Sequence, residues 1–178
     1  MFSSSKILVP VCAALIGVFT AASASAEAYD GKIQVWFSPN GGVKQAVIDV
    51  ARQAQKRIRV SIYKIESPEI AESLIEAARR GVSVEVVLDA KKMHSKASRK
   101  KELSEAGIPV YADSMHKTFH DKFMVVDGLR VATGSFNYKD SSDTSNAENL
   151  VLIDSPALAA RYEADWEKHR RESVRLGK

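Results

Sequence analysis

Residues in the second half of the chain combine functional groups and a spacing that suit phosphoryl chemistry. They form the pattern H-x-K-x4-D-x6-G-S-x-N, whose fixed positions are His120, Lys122, Asp127, Gly134, Ser135 and Asn137. An imidazole is nucleophilic near neutral pH. An ammonium presents a point charge to phosphate oxygens, and a hydroxyl and a carboxamide add neutral hydrogen-bond donors. The pattern therefore predicts a site that suits a phosphoryl group.

A β-hairpin is the element that must position these groups. Residues two apart on a strand share a face, so His120 and Lys122 project together while Asp121 points away. Residues 122–126 and 129–133 read as two strands around an Asp-Gly turn. The hairpin returns residues 134–137 to the start of its first strand, where we expect the four functional groups to converge.

Two other site chemistries compete with this interpretation. A metal site would use His120 and Asp127 as ligands, but Lys122 on the same face would repel a divalent cation. We therefore expect neither a metal nor a cofactor. A serine-hydrolase nucleophile is excluded because residues 132–136 do not form the G-x-S-x-G elbow.

The other histidines are not predicted to be catalytic. His116 and His169 are interpreted as ordinary surface or core residues, which is the commoner role of an isolated histidine. His94 begins a second H-x-K with Lys96. However, Lys101 stands where the motif has Asp, and no Gly-Ser follows.

Hydrophobic periodicity predicts an α/β fold. Beyond the hairpin, strand-like patterns recur at 32–37, 59–65, 82–88, 108–111 and 148–153. Helical spacing and capping signals mark 43–54, 68–78, 95–106 and 156–171. This order implies right-handed crossovers onto a mixed, mostly parallel β-sheet flanked by helices, in a single domain.

The composition and the first residues indicate the class of protein and its location in or outside the cell. The chain has 178 residues, 45% hydrophobic and 27% charged, with a formal net charge of +4, as is ordinary for a soluble globular protein. Residues 1–26 have the layout of a signal peptide: a positive start with Lys6, an apolar run and the small residues 24–26. The apolar run falls short of the about 20 residues that span a bilayer. We expect cleavage after Ala24 or Ala26, a mature domain over 27–178, export to the periplasm or the medium, and no membrane anchor.

A basic segment follows the third predicted strand. It holds six basic side chains and no acid, namely Lys91, Lys92, Lys96, Arg99, Lys100 and Lys101. One interpretation is a solvated helix face. The other is a rim that tracks nucleic-acid phosphates at the carboxyl end of a parallel strand, where ligands usually bind. No base-reading motif is present in the sequence, so any such binding should be nonspecific.

The residues around His120 resemble the HKD motif of the phospholipase D superfamily, and the chain resembles its small bacterial Nuc-like endonucleases. The resemblance extends to segments 59–63, 79–82 and 146–149. It implies the phospholipase D/nuclease fold and a two-step hydrolysis of a phosphodiester. His120 would attack phosphorus to give a phosphohistidine.

The resemblance also implies supporting roles for the other matching residues. The groups that would hold the nonbridging oxygens are Lys122, Ser135 and Asn137. Glu148 would hydrogen-bond the other nitrogen of His120 and fix its tautomer, while Asp127 would brace the hairpin.

One chain carries one complete motif, whereas the implied mechanism needs two histidines. The second would protonate the leaving oxygen and then deprotonate water. We therefore expect a two-fold homodimer whose paired His120 residues meet at the interface. The expected function is a metal-independent, nonspecific endonuclease that acts on DNA, with RNA as a further candidate substrate. The alternatives are a phospholipase D acting on phospholipids such as phosphatidylcholine, and a noncatalytic DNA-binding dimer.

Overall fold

The computed structural model describes residues 27–176, so the predicted signal peptide lies outside the described residues. The strands are β1 (Lys32–Phe37), β2 (Arg57–Ile62), β3 (Ser83–Asp89), β4 (Val110–Asp113), β5 (Lys122–Val126), β6 (Arg130–Gly134), β7 (Asn149–Asp154) and β8 (Val174–Arg175). The helices are α1 (Val43–Gln53), α2 (Pro68–Arg79), α3 (Lys100–Glu105), α4 (Asp140–Thr144) and α5 (Pro156–Glu172), with one 3₁₀ turn over Lys92–His94. The strands form one eight-stranded sheet in the order β1-β7-β6-β5-β2-β3-β4-β8.

The sheet is mixed and flanked by helices, as predicted, but its parallel pairing is less extensive than the sequence suggested. Only β2 with β3 and β3 with β4 pair in parallel. The other five neighbouring pairs are antiparallel. The predicted crossover from β1 does not bring it beside β2, because the antiparallel strands β5, β6 and β7 lie between them. β1 therefore pairs with β7 at the far edge.

The two faces of the sheet carry separate hydrophobic clusters because successive side chains of a strand point to opposite faces. Met124 packs in the larger cluster with residues of α1 and α2, such as Val47 and Leu74. The next residue, Val125, packs in the smaller cluster with Trp166 of α5. The indole Nε1 of Trp166 also donates to the backbone oxygen of Val60 at 2.9 Å, which fixes α5 to β2.

The helix predicted over 95–106 is wrong in its first half. The structure has a 3₁₀ turn before Ser95 and begins α3 only at Lys100. The reason lies in two serine side chains that bond backbone amides. Ser95 Oγ accepts from the amide of Ala97 at 3.2 Å and Ser98 Oγ from that of Lys100 at 3.4 Å. Such local bonds compete with helix formation.

Two short elements were not predicted, namely α4 and β8. β8 is only two residues long and pairs with β4 through Tyr111 and Ala112. A segment this short carries no readable periodicity. None of the helices in residues 27–176 is long and apolar enough to cross a membrane.

Candidate active site

The predicted β-hairpin is confirmed, and it places the motif at one end of the sheet. β5 and β6 pair antiparallel from Phe123↔Thr133 to Val126↔Arg130. The turn residues Asp127 and Gly128 have φ angles of 57° and 68°, the left-handed conformation that a type I′ hairpin turn requires. His120 precedes β5, and residues 135–137 follow β6, so both segments emerge at the same end of the sheet.

The structure brings His120 and Lys122 into direct contact. Lys122 Nζ lies 2.9 Å from His120 Nδ1 and donates to the His120 backbone oxygen at 2.6 Å. An ammonium has donors only, so Nδ1 accepts this bond and the ring proton lies on Nε2. The imidazole ring itself is at the surface, where a substrate can reach it.

Tyr63 is a site residue that the motif did not reveal. Its ring centroid lies 4.7 Å from that of His120, and Lys122 Nζ lies 5.5 Å from the same Tyr63 centroid. The backbone amide of Tyr63 donates to the Asp121 oxygen at 2.9 Å, which fixes the loop that carries His120. The sequence signal that could have identified Tyr63 was its position directly after β2.

The Lys122 ammonium is partly removed from water. This burial lowers the pKa of Lys122 from its ordinary 10.5, although the negative charges of Asp121 and Glu148 oppose the shift. A lysine in this position is less strongly solvated than a surface lysine, so its charge acts more strongly on a nearby anion.

Ser135 and Glu148 form a second pair of contacts. The Ser135 hydroxyl donates to Glu148 Oε2 at 2.6 Å and accepts from the Asn149 amide at 3.1 Å. The second carboxylate oxygen, Oε1, accepts from Asn146 Nδ2 at 2.9 Å. Ser135 thus holds Glu148 in this conformation, and the role of Ser135 as a phosphate donor stays a prediction.

The hydrogen bonds around Glu148 decide its charge. Burial pushes the pKa of Glu148 upward, but the bonds from Ser135 and Asn146 outweigh it, so that the pKa lies below its usual 4.5. The carboxylate is therefore ionised at neutral pH. Its oxygens bond Ser135 and Asn146 rather than His120, so its role in fixing the His120 tautomer also stays a prediction.

Gly134 and Asn137 frame the segment that carries Ser135. A Cβ at Gly134 would lie 2.3 Å from the Asn149 backbone oxygen, so only glycine fits between β6 and β7 at this point. Asn137 Oδ1 is buried and has no hydrogen-bond partner among the described residues. The side-chain oxygen of Asn137 therefore makes no hydrogen bond that holds the fold of the described residues together.

Asp127 lies at the opposite end of β5 from His120. Its carboxylate accepts from the backbone amides of Gln55, Lys56 and Arg57 at 2.9, 2.7 and 2.9 Å. These bonds outweigh burial and lower the pKa of Asp127 below 3.8. The motif aspartate therefore ties the hairpin turn to the start of β2 and does not reach the reacting groups.

The basic segment is divided by the structure. Lys92 reaches the site, since its Nζ lies 5.2 Å from the Tyr63 ring centroid, and Lys91 Nζ donates to the Lys117 backbone oxygen at 2.7 Å. Lys96 is exposed and Lys100 is half-buried.

The remaining basic side chains are paired with acids. Arg99 NH1 bonds Glu102 at 2.7 Å, and Lys101 Nζ lies 3.7 Å from Glu105. The front of the segment, before Ser95, is therefore the part that can add charge to the site.

Ser38 is another residue that sequence reasoning did not single out. Its hydroxyl accepts from the Glu148 amide at 3.0 Å and donates to the Asn146 oxygen at 2.9 Å. It thereby anchors the loop that carries Glu148 to the end of β1. Ser38 lies more than 100 positions away in sequence, so no local pattern could indicate this contact.

Comparison with known proteins gives consistent matches. A family model described as "Cardiolipin synthase, PLD-like domain" matches residues 47–170. A protein named phospholipase D from Rickettsia prowazekii is 34% identical over 134 residues, which cover 75% of this chain and 65% of that protein. A mitochondrial cardiolipin hydrolase from Xenopus laevis is 33% identical over 115 residues, covering 65% of this chain and 55% of that protein.

A solved structure gives the most complete match among these comparisons. It is that of Nuc from Salmonella typhimurium, described as a phospholipase D family member. It is 32% identical to this chain, with a TM-score of 0.80. The match covers 84% of this chain and 100% of Nuc, whereas this chain spans just under two thirds of the Rickettsia protein.

Proposed function

Since the chain belongs to the phospholipase D superfamily, we propose that it is a metal-independent phosphodiesterase that hydrolyses nucleic-acid phosphodiester bonds. The observation that carries this proposal is the exposed His120 ring, held between Tyr63 and the partly desolvated ammonium of Lys122. This arrangement offers a nucleophile and a phosphate-binding charge at one point of the surface.

The proposed reaction has two steps. An arriving phosphate draws the Lys122 ammonium from Nδ1 of His120 to a nonbridging oxygen. A ring nitrogen of His120 then donates its lone pair to phosphorus, the bond to the leaving oxygen breaks, and His120 of a second copy protonates that oxygen. Water next attacks phosphorus and gives its proton to the second histidine, and the N–P bond breaks to free His120.

Charge beyond the reacting group favours nucleic acid as the substrate. Lys92 stands beside the same tyrosine ring as Lys122, and Lys91, which precedes it in sequence, is exposed. A polyanion has further phosphates on each side of the scissile one, and these bind such lysines by counterion release. A phospholipid headgroup offers no such row of phosphates.

A phospholipid substrate is the second candidate. It is favoured by the names of two relatives, the phospholipase D of Rickettsia prowazekii and the mitochondrial cardiolipin hydrolase of Xenopus laevis. The reacting group is a phosphodiester in both cases, so the residues around His120 would serve either substrate. The third candidate, a noncatalytic DNA-binding dimer, leaves the contact between His120 and Lys122 without a use.

A cleavage assay separates the three candidates. The protein and its His120→Asn variant are incubated in chelator with plasmid DNA, single-stranded DNA, RNA and phosphatidylcholine vesicles. We expect nucleic-acid cleavage that falls at least about 10³-fold in the variant, as on removal of a nucleophile. His94→Asn, in the incomplete second H-x-K, is the matched control and should cleave normally.

The other outcomes each favour a different function. Choline release that depends on His120 would support the phospholipase, and gel retention without cleavage would support the DNA-binding dimer. Loss of all activity in chelator would contradict metal-independent cleavage.

We propose in addition that the enzyme works as a two-fold dimer with both His120 residues in one site. Mixing wild-type with His120→Asn chains, under conditions that exchange subunits, tests this directly. At equal amounts only about one quarter of random dimers carry two histidines, so activity should fall to about 25% of the all-wild-type value. A fall to one half, in proportion to the wild-type chains, would show that each chain acts alone.

Export is proposed from the signal-peptide layout of residues 1–26. The location would be the periplasm or the medium. Amino-terminal sequencing of the protein recovered outside the cytoplasm should begin at Ser25 or Glu27, whereas a protein that keeps Met1 would contradict the proposal.

A further inference from the structure

A cluster of histidine and aspartate side chains lies behind the site, between the end of β4 and α5. Asp113, His116 and His169 each offer one ligand atom, and these three atoms lie within 4.8 Å of one another. His116 Nδ1 lies 3.1 Å from both carboxylate oxygens of Asp113. The proposed hydrolysis uses none of these groups.

The orientation of His169 leaves one ring nitrogen free inside the protein. Its Nε2 lies 3.3 Å from Asp165 Oδ2 and 3.8 Å from Asp121 Oδ2, so this nitrogen faces two carboxylates. The other nitrogen, Nδ1, is buried and has no hydrogen-bond partner among the described residues. A histidine whose one nitrogen faces a carboxylate while the other offers a lone pair has the arrangement typical of metal ligands.

The spacing of the two imidazole rings fits a common ion. The ring centroids of His116 and His169 lie 5.2 Å apart, at 74° to each other. Two imidazoles bound to one tetrahedral ion, with metal–nitrogen bonds of about 2.0 Å, place their ring centroids about 5 Å apart. Only small side-chain adjustments would therefore bring both nitrogens to an ion.

The acidic groups around His169 make no ion pair with lysine or arginine among residues 27–176, although the charge of Lys122 acts on Asp121. The ion pairs of Asp113, Asp121 and Asp165 among residues 27–176 involve only His116 and His169. Asp113 is the most enclosed, since its side chain is 0% exposed. A buried carboxylate with no lysine or arginine paired to it favours the arrival of a cation.

From this geometry we propose that the chain binds a divalent transition-metal ion of the zinc class through Asp113, His116 and His169. Two imidazoles and one carboxylate suit zinc and its neighbours rather than magnesium or calcium, which prefer oxygen ligands. Asp165 orients His169 from outside the coordination sphere. The ion would tie the loop 114–121, which leads to His120, to α5.

Calorimetric titration with ZnCl₂ tests this site. The full protein without a histidine tag, freed of metal and kept at about pH 7.5 to limit competition between protons and the metal, should bind one ion per chain. His116→Ala and His169→Ala should each weaken binding at least about tenfold, and Asp165→Asn should weaken it less. His94→Ala, on the exposed 3₁₀ turn, is the matched control and should bind normally. Bound Co²⁺ should give the visible spectrum of a tetrahedral site.

Several outcomes would overturn the site. These are no binding below about 1 mM Zn²⁺, unchanged binding in both histidine variants, or loss of binding in His94→Ala. Circular dichroism verifies that each variant is folded. If His169→Ala does not fold, His116→Gln gives the same test, because the His116 side chain is 43% exposed. The inference is independent of the hydrolysis proposal, since His120→Asn should abolish cleavage and leave zinc binding unchanged.

Discussion

Lys122 lies in an environment that differs from that of an ordinary surface lysine. Its ammonium contacts the imidazole of His120 and is partly buried beside Tyr63. Burial favours the neutral amine, so the positive charge that we propose holds a phosphate is lost at a lower pH than in a surface lysine.

This property predicts the pH dependence of the reaction. The pKa of Lys122 is lowered in the folded protein, so the ammonium is present at low pH and disappears as pH rises through a value below 10.5. We expect the alkaline limb of kcat/KM below that pH. Lys122→Arg should move the limb upward, because arginine stays protonated, and Lys122→Ala should lower kcat by about 10²–10³-fold. An alkaline limb unchanged in Lys122→Arg would assign it to another group.

The sequence predicted that His120 and Lys122 lie together, but it did not predict their surroundings. The two-residue spacing indicated the proximity, although His120 lies just before β5 and not on the strand. Tyr63 and Ser38 could not be predicted, because they reach the site from the ends of β2 and β1 through pairing between distant segments. The predicted bond between Glu148 and His120 depends on side-chain conformations that spacing does not determine.

At the scale of elements, the β5–β6 hairpin is the unit that positions the motif. Its turn is fixed by Asp127, whose carboxylate accepts three backbone amides from residues 55–57. The turn lies away from His120, so its contribution should be to folding rather than to the reaction.

The Asp127→Asn variant tests whether the hairpin turn contributes to folding rather than to the reaction. The amide tolerates the left-handed backbone but cannot accept all three bonds with the strength of a carboxylate, so we expect a loss of about 1–3 kcal/mol in the free energy of unfolding. Denaturant titration measures the loss, and kcat should change less than about twofold. Asp49→Asn, on the exposed face of α1, is the control and should change neither.

The stability lost in the same variant should depend on pH in a defined way. The pKa of Asp127 is lowered in the folded protein, so its stabilisation is present above the unfolded pKa and is lost as pH falls through the folded value, below 3.8. The stability difference between wild type and Asp127→Asn should therefore narrow as the medium is acidified. A constant difference down to about pH 2 would contradict this interpretation.

The fold could be predicted where the signal was local. The D-G turn indicated the hairpin, and Pro68 and Pro156 marked the first turns of α2 and α5. The position of β1 at the far edge could not be predicted, because period-two alternation shows that a segment is a strand without showing its neighbour. The hydrogen bonds of Ser95 and Ser98 with backbone amides, which delay the start of α3, could not be predicted from a helical pattern either.

At the scale of the whole molecule, the β1–β7 part of one sheet face, near the site, has no cover among residues 27–176. Ile33, Val35 and Phe37 alternate along β1 and are 60%, 48% and 65% exposed. Opposite them on β7 lie Ile153 and Val151, which are only half-buried. Apolar side chains that adjoin on two paired strands mark an interaction surface.

We propose that a second copy of the chain covers this face, because the hydrolysis proposed above needs a second histidine and the face reaches the site. Phe37 is followed by Ser38, whose amide donates to the Glu148 oxygen at 3.0 Å. Phe37→Lys should therefore raise the dimer dissociation constant at least about tenfold, through loss of about 1.5–3 kcal/mol of apolar burial, and should lower activity at dilute enzyme.

Analytical ultracentrifugation and a dilution series of activity measure these effects together. Leu129→Lys is the matched control, since Leu129 is 55% exposed but lies at the hairpin turn, away from β1. A Phe37→Lys protein that dimerises normally would show that the contact between copies lies elsewhere.

The two rims of the sheet are protected differently. β8 closes the β4 side with two residues, while β1 leaves the outward amides and carbonyls of its six residues unpaired by any other strand of residues 27–176. An unpaired edge strand of this length with exposed apolar side chains can template strand addition between molecules. Lys32 supplies the only charge on β1 that opposes it. In the proposed dimer, separation of the copies would bare the apolar face beside this unpaired edge and favour fibrillar self-association, so the proposed assembly and the resistance to aggregation would both depend on β1.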